Sequence, residues 1–401
     1  MPDANQLLSL HQPRLYYDSQ ESYFADSAAS WTDAPGNLLQ RGVGPGAQVL
    51  AASTPGGTQA QLNLAFLGSG QYANAEPVGD EDTISDPSRS YRDQAQGLHL
   101  RPDYANRIYG RAKQGSDGQL WLQYWFFYYY NDFAVAGFGL HEGDWEMVQL
   151  RLGDGDQPDL AVYAQHKHAG HLPWDKVERA PDSRDAPVVY VARGSHASYF
   201  DSGRHWTGVW FDCADGKRRA AQPSTLEIVT DANPSWLGWP GHWGDTRKLD
   251  SKDPFNQDSP QGPCRHTQWN DPAALLDTAE RFQAQPKPPP PPAPPQPKRL
   301  VVRRVDGSAE VDYSIPQAGA DQAPAAKLVV TVNSADDRLP PASEAFPITE
   351  ASGTVRPGRE LAADQRYDLA VSTVSDRGTA TPAITIDLAP GKSEAALPEA
   401  G

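Results

Sequence analysis

Residues 119–130 read QLWLQYWFFYYY, and residues 144–152 read DWEMVQLRL. The first run is almost wholly aromatic or aliphatic, and such residues favour strands. A strand covered on both faces has this composition, because neither face has to meet water. The second run alternates more clearly, as a strand with two unlike faces does. Outward from these, 159–165 (DLAVYAQ) and 187–193 (PVVYVAR) read as further strands. Clusters of Gly, Pro and Asp separate the runs, as turns require. A short helix is expected over 271–284 (DPAALLDTAERFQA). Towards the N-terminus the pattern weakens: LLSLHQPRLYY (7–17) and AQVLAA (47–52) are candidate strands, and much of 70–100 reads as loop.

One boundary is sharp. Residues 286–298 read PKPPPPPAPPQPK, with nine prolines. Proline fixes φ and removes the backbone donor, so the run reads as polyproline II. At roughly 3.1 Å per residue it would span about 40 Å as a stiff spacer. Its position favours that role over an SH3-type ligand. Beyond it come short runs at regular spacing: LVVRRV (300–305), AEVDYSI (309–315), KLVVTVN (327–333), YDLAVSTV (367–374) and AITIDL (383–388). That spacing suggests a small β-sandwich.

Composition separates the two parts. All eleven Trp and all ten His precede residue 271, so the first part can bury a large aromatic core and the last must manage with small aliphatics. The 401 residues carry a formal net charge of −16. An acidic chain lacks the basic face that nucleic-acid binding needs, so nucleic acid is not an expected partner. Divalent cations are a different matter, since acidic surfaces attract them. Cys213 and Cys264 form no CxxC pair, and either one disulfide or two reduced thiols is compatible with them. No window approaches eighteen apolar residues, so no transmembrane segment is expected. The opening MPDANQLLSL has no basic n-region, which reads as cytoplasmic as encoded, with export left to a specialised route. The oligomeric state is not legible.

Eight of the ten His lie between 141 and 266. Three groups stand out: His141-Glu142-Gly143-Asp144-Trp145-Glu146, Gln165-His166-Lys167-His168 and Gly194-Ser195-His196. Residues i and i+2 of a strand share a face, so Asp144 and Glu146 project together with Val148 and Leu150. Unpaired buried carboxylates cost several kcal/mol each, so these acids need a cation or donors nearby. His166 and His168 end one apolar run, and His196 follows another through a Gly-Ser turn. If the three strand ends lie side by side, His141, Asp144, Glu146, His166 and His196 make a mixed O/N metal site. Solvated strand ends are the plainer alternative. Ser195 beside His196 does not make a nucleophile pair, because neighbours in a strand point apart and no GxSxG elbow exists. Trp239, His242 and Trp243, on a loop-like Trp/Gly-rich stretch, and His168 are candidate ligand-binding residues, since loop aromatics can stack on sugar rings or headgroups, although such aromatics more often lid a core.

Several of these motifs, in order, resemble the family of vacuolar protein sorting-associated protein 62. They are Pro13 to Tyr17, Glu21 to Phe24, Tyr124 to Tyr128, His141 to Glu146, Gln165-His166, Gly194 to Tyr199, Trp239 to Gly244 and Ser259-Pro260-Gln261-Gly262-Pro263. The resemblance covers roughly 8–275 and implies no chemistry by itself. The 361–371 stretch, centred on Tyr367, and Gly378 to Pro382 resemble fibronectin type III domains, which implies a spacer or docking module. Residues 141–146 are also similar to the HRHDWE core of necrosis- and ethylene-inducing-like proteins. That similarity implies a β-sandwich whose His141, Asp144 and Glu146 positions hold a divalent cation used for lipid-headgroup recognition. Gly143 replaces that motif's second His.

The expected architecture is all-β. A large β-sandwich domain with long loops fills 1–285, a Pro-rich linker 286–299, and a small fibronectin type III-like β-sandwich 300–395, with a tail at 396–401. The first functional expectation is a metal-dependent protein that binds a glycan or lipid headgroup through a divalent cation (Ca, Mg, Mn or Zn). The second is a metal-dependent hydrolase of phosphoesters or glycans, with Glu146 or Glu142 as base. The third is a structural or trafficking protein in which the His and carboxylate groups satisfy each other without metal.

Overall fold

The structure is a computed structural model. It describes residues 3–19, 21–42, 47–57, 59–69, 79–88, 91, 95, 97, 106–131, 141–207, 211–220, 224–244, 259–284, 292–334, 342–376, 379–381 and 383–397. Most of the stretch expected as loop over 70–100 lies outside these residues.

The first part contributes β1 (Arg14–Tyr17), β2 (Leu38–Arg41), β3 (Gln48–Ala52), β4 (Ala60–Gln61), β5 (Asp82–Ser85), β6 (Arg107–Gln114), β7 (Leu120–Asn131), β8 (His141–Leu152), β9 (Pro158–Gln165), β10 (His168–Pro173), β11 (Val188–Val191), β12 (Ser198–Tyr199), β13 (Gly203–Trp206), β14 (Phe211–Ala214) and β15 (Thr225–Ile228). A six-stranded sheet in the order β10-β9-β8-β7-β6-β15 forms the centre. Its strands are antiparallel apart from β15, which runs parallel to β6.

This central sheet is covered on both faces, which is why residues 120–131 need no polar side. One face packs Trp121, Trp125, Phe127, Trp145 and Met147 against Leu39, Ala51 and Ile84 of the sheet β4-β3-β2-β5. The other packs Tyr124, Phe126, Tyr128 and Val148 against Leu15, Tyr17, Val189 and Val191 of the sheet β1-β11-β12. The fold is therefore an all-β sandwich type, with three sheets stacked around the longest strands.

Residues 7–17 are a correction to the strand expectation. They split into a helix, Ala4–Leu10, and β1. Asp3 caps that helix, and Gln6 reaches back to the Asp3 backbone, a capping box that outweighs the strand-like Leu pattern. The helix Ala273–Ala284 forms where expected and packs on β10.

The last part holds β16 (Arg299–Val305), β17 (Ser308–Ser314), β18 (Ala325–Ser334), β19 (Ala342–Pro347), β20 (Ser352–Val355), β21 (Tyr367–Ser375), β22 (Ile384–Leu388) and β23 (Glu394–Ala396). Two sheets, β20-β17-β16-β23 and β19-β18-β21-β22, enclose a core of small aliphatics such as Val302, Val311, Val330 and Leu369. Of the expected spacer, 286–291 lies outside the described residues. The rest is not free: Thr373 donates to the Pro295 carbonyl at 2.7 Å, and Ala323 N–H donates to Ala293 at 3.3 Å. The free spacer is thus shorter than a run of thirteen residues would make it.

Candidate functional site

The β7–β8 ladder sets Tyr128 opposite Asp144 and Phe126 opposite Glu146. Strict alternation would put Glu142 on the same face. It does not, because Gly143 has φ +63° and breaks the alternation. A Cβ on Gly143 would lie 2.1 Å from the Trp243 carbonyl oxygen, so only glycine fits. Glu142 turns to the opposite layer, where its carboxylate accepts the Tyr91 hydroxyl and the Asp86 N–H. Asp144 and Glu146 are left facing β1-β11-β12.

A second glycine-led turn meets them there. Gly194 (φ +72°) and His196 (φ +56°) fold the β11–β12 connection back on itself. The His196 ring is fully buried and stacks on Tyr128, with centroids 3.9 Å apart and 2° between planes. Its Nδ1 bonds Asp144 Oδ2 at 2.9 Å, and its Nε2 lies 3.8 Å from Glu21 Oε1. Burial alone would push this imidazole down; the Asp144 and Glu21 carboxylates outweigh it and hold the ring up at about 9. Burial pushes Glu21 up, but His196 and the Gly194 and Tyr23 N–H groups win and lower it. The His196 ring is therefore favoured in its charged form between the Asp144 and Glu21 carboxyl groups.

A third element completes the cluster. His166 sits in the β9–β10 turn at φ +54° and reaches Asp212 of β14, Nε2 to Oδ2 at 2.8 Å. The Tyr199 hydroxyl donates to the same oxygen at 2.7 Å. Burial lowers His166, but the bond to Asp212 outweighs it, and the net shift is upward. Glu146 behaves in the opposite way to Glu21. Burial, then the nearby Asp144 and Asp212, raise it well above the usual carboxylate range. Among the described residues no group hydrogen-bonds to the Glu146 carboxyl. Four buried carboxyl groups, Glu21, Asp144, Glu146 and Asp212, thus lie around the buried His196 ring, with His166 on the cluster's cleft side. Four ionised carboxyl groups would outnumber two charged rings, and burial, then Asp144 and Asp212, disfavour the ionised form of Glu146.

The expected ligand set is only partly brought together. Asp144, Glu146, His166 and His196 join one cluster, with Glu21 and Asp212 as members not foreseen. His141 turns aside, its Nδ1 donating to the Gly143 carbonyl at 2.7 Å. Among the described residues no group of three or more His, Cys, Asp or Glu is arranged to hold a metal ion. Ser195 does not pair with His196, whose nitrogens face Asp144 and Glu21. Trp239 and Trp243 lid the core rather than present rings: both are buried, and Trp243 packs against Trp145, Trp236 and Trp239. His242 donates Nδ1 to the Ser259 carbonyl at 2.6 Å. Cys213 and Cys264 are free thiols.

His168, by contrast, lines a cleft of about 370 Å³ between β10, β13 and the end of the helix Ala273–Ala284. His166 and Tyr199 line it too, so the cleft and the buried cluster share a wall. Glu21 had one sequence signal, its place in the Glu21-Ser22-Tyr23-Phe24 motif. Asp212 had none.

No family model matches the chain, and no curated protein matches it. Among solved structures, the non-toxic HaNLP3 protein aligns at 10% identity and TM-score 0.30, over 59% of this chain and 80% of that one. Necrosis and ethylene inducing protein 2, from the causal agent of cocoa's witches broom disease, aligns at 12% identity and TM-score 0.29, over 58% and 77%. A myokine structure aligns at 19% identity and TM-score 0.20, over 25% of this chain and all of that one. The second of these carries the name of the proteins whose core residues 141–146 resemble. Similarity at these scores carries no argument about ligand or chemistry.

Proposed function

We propose that this chain is a divalent-cation-dependent binding protein that takes a glycan or lipid headgroup at the cleft. One observation carries the reading: Glu146 is a buried carboxyl without a described partner, set beside Asp144 and Asp212 in a cluster with excess negative charge. Such a group keeps a proton or gives it up for a cation. Asp144, Glu146 and Asp212 are the carboxylates that would hold the ion, with His166, bonded to Asp212, as the imidazole on the cleft side. His141 does not fit, since its ring is engaged with the Gly143 carbonyl. The ion would supply a positive centre behind the wall that the cleft shares with the cluster. Loading it requires Asp144 to share or release His196.

Binding of the purified chain to glycan and lipid arrays, with and without EDTA, tests the reading. Retention of a ligand that EDTA releases, and that Glu146→Gln no longer retains, supports it. Ligand retention indifferent to both treatments refutes it. The metal-free reading keeps a specific basis as well, the His196–Asp144 bond at 2.9 Å. It predicts that no divalent cation changes the melting temperature. A hydrolase would need a ligand-facing base; Glu146 is buried, and Glu142 is committed to Tyr91 and Asp86.

A further inference from the structure

One buried histidine stands apart from the carboxyl cluster. The helix Ala4–Leu10 has seven residues, too few to persist without packing. Leu7 and Leu8 are buried with Ile108 and Tyr124. Leu8 and Leu226 meet over Gly110, where an added Cβ would lie 3.5 Å from one and 2.7 Å from the other. The helix thus docks on β6 and on the edge strand β15. Polar ties add to this packing. The Tyr124 hydroxyl donates to the Leu8 carbonyl at 3.0 Å, and His11 closes the C-terminal end of the helix.

His11 joins three elements. Its N–H donates to the Leu7 carbonyl at 3.0 Å, and its Nδ1 donates to the Asp185 carbonyl at 2.9 Å. Its ring meets Trp174 edge-on, with centroids 5.8 Å apart and 88° between planes. The residue is fully buried, and its Nε2 has no hydrogen-bond partner among the described residues. This arrangement suits a neutral imidazole protonated on Nδ1. A second proton would go to Nε2, which meets neither an acceptor nor water, and a buried charge without a partner is costly. The charged groups around the ring act as follows. Asp185 attracts the proton, and the Arg179 guanidinium lies over Trp174 at 4.3 Å. Arg14 pairs with Asp182, and Lys176 with Asp175, each at 3.4 Å and exposed. Burial outweighs the attraction of Asp185 and holds the ring below its ordinary value.

We propose that His11 is an acid-operated clasp: protonating its ring releases the helix Ala4–Leu10 from β6 and β15 and uncovers Leu226, while the sheets behind stay folded. The device uses no residue of the proposed cation site and goes beyond that reading. The docked ring holds fewer protons than the released one. Docking is therefore fully supported above about pH 6.5 and weakens as pH falls below it.

Amide hydrogen exchange of the full chain between pH 7.5 and pH 5, corrected for intrinsic rates, tests it. Protection of the helix amides is expected to fall by up to about tenfold per pH unit below 6.5, as one proton requires. The strands β7 and β8 should keep theirs, because the release is local. The last hundred residues contain no His and serve as internal reference. His11→Gln keeps a donor for the Asp185 carbonyl but cannot titrate, so its helix should hold equal protection across the range. Asp185→Asn covers the case in which His11→Gln fails to fold. It removes the attraction for the second proton, so its loss of protection should run deeper at the acid end than in wild type. Unchanged helix protection at pH 5, or simultaneous loss in β7 and β8, overturns the proposal. So does a pH response retained in His11→Gln, or a loss in Asp185→Asn no deeper than in wild type.

Discussion

At the scale of single residues, the cluster divides its ionisable groups into two classes. His196 has its charge stabilised, and Glu146 has its charge suppressed. The sign of each effect on stability follows. His196 is held up at about 9, so its contribution is fully present below about 6.5 and is lost as pH rises through about 9. Removing the ring would leave Asp144 and Glu21 buried without their cation. His196→Ala should therefore cost about 3–5 kcal/mol at pH 7. It should also flatten the loss of stability between pH 7 and 9. Urea titrations across that range check both; a variant with the wild-type pH slope would contradict the assignment. Glu146 is raised, so its protonated form favours the fold at low pH, and that support fades as pH climbs above the unfolded carboxyl's range. Glu146→Gln cannot ionise. It should be more stable than wild type at pH 8, with the difference shrinking towards pH 4. A constant difference across that range would argue that Glu146 titrates normally.

At the scale of elements, the central strands were legible because their composition and their environment agree. The run 120–131 has aromatic residues on both faces, and both faces are covered. The end of β8 was less legible. Alternation from 144 to 150 held, but Gly143 broke it one residue earlier, and a positive φ leaves no periodic trace. The same limit applies to His166 and His196, which reach the cluster from turns with positive φ rather than from strand faces. In the last part, β19 (ASEAFP), β20 (SGTV) and β23 (EAA) escaped notice because their residues carry little strand preference and pairing partners define them. The Trp236–Trp243 stretch allowed two readings, presented loop aromatics or a lid on a core, and the structure makes it the lid, with Trp236, Trp239 and Trp243 all buried. Trp243→Ala should accordingly cost about 3–5 kcal/mol of stability. It should leave ligand affinity of the folded fraction unchanged. Thermal denaturation and a binding isotherm on one preparation check this. A stable variant with lost binding would restore the loop reading.

At the scale of the whole chain, two cores of different chemistry lie on either side of the proline-rich stretch. The first is aromatic and encloses a buried acid–imidazole cluster. The second is built from small aliphatics in two four-stranded sheets and, among the described residues, shares no core residue with the first. Residues 292–401 expressed alone should therefore unfold in one cooperative transition, followed by circular dichroism. A gradual, non-cooperative melt would mean that the second core depends on the first. The proposed function stands or falls on whether the carboxyl cluster around Glu146 takes up a divalent cation. The most direct measurement is calorimetric titration of the full chain with Ca²⁺, Mn²⁺ and Zn²⁺ in two buffers of different ionisation enthalpy, for wild type and Glu146→Gln. One saturable site is expected in wild type for at least one of these ions, with proton release, and is expected to be lost in the variant. No stoichiometric heat for any ion, or equal binding by the variant, would contradict it.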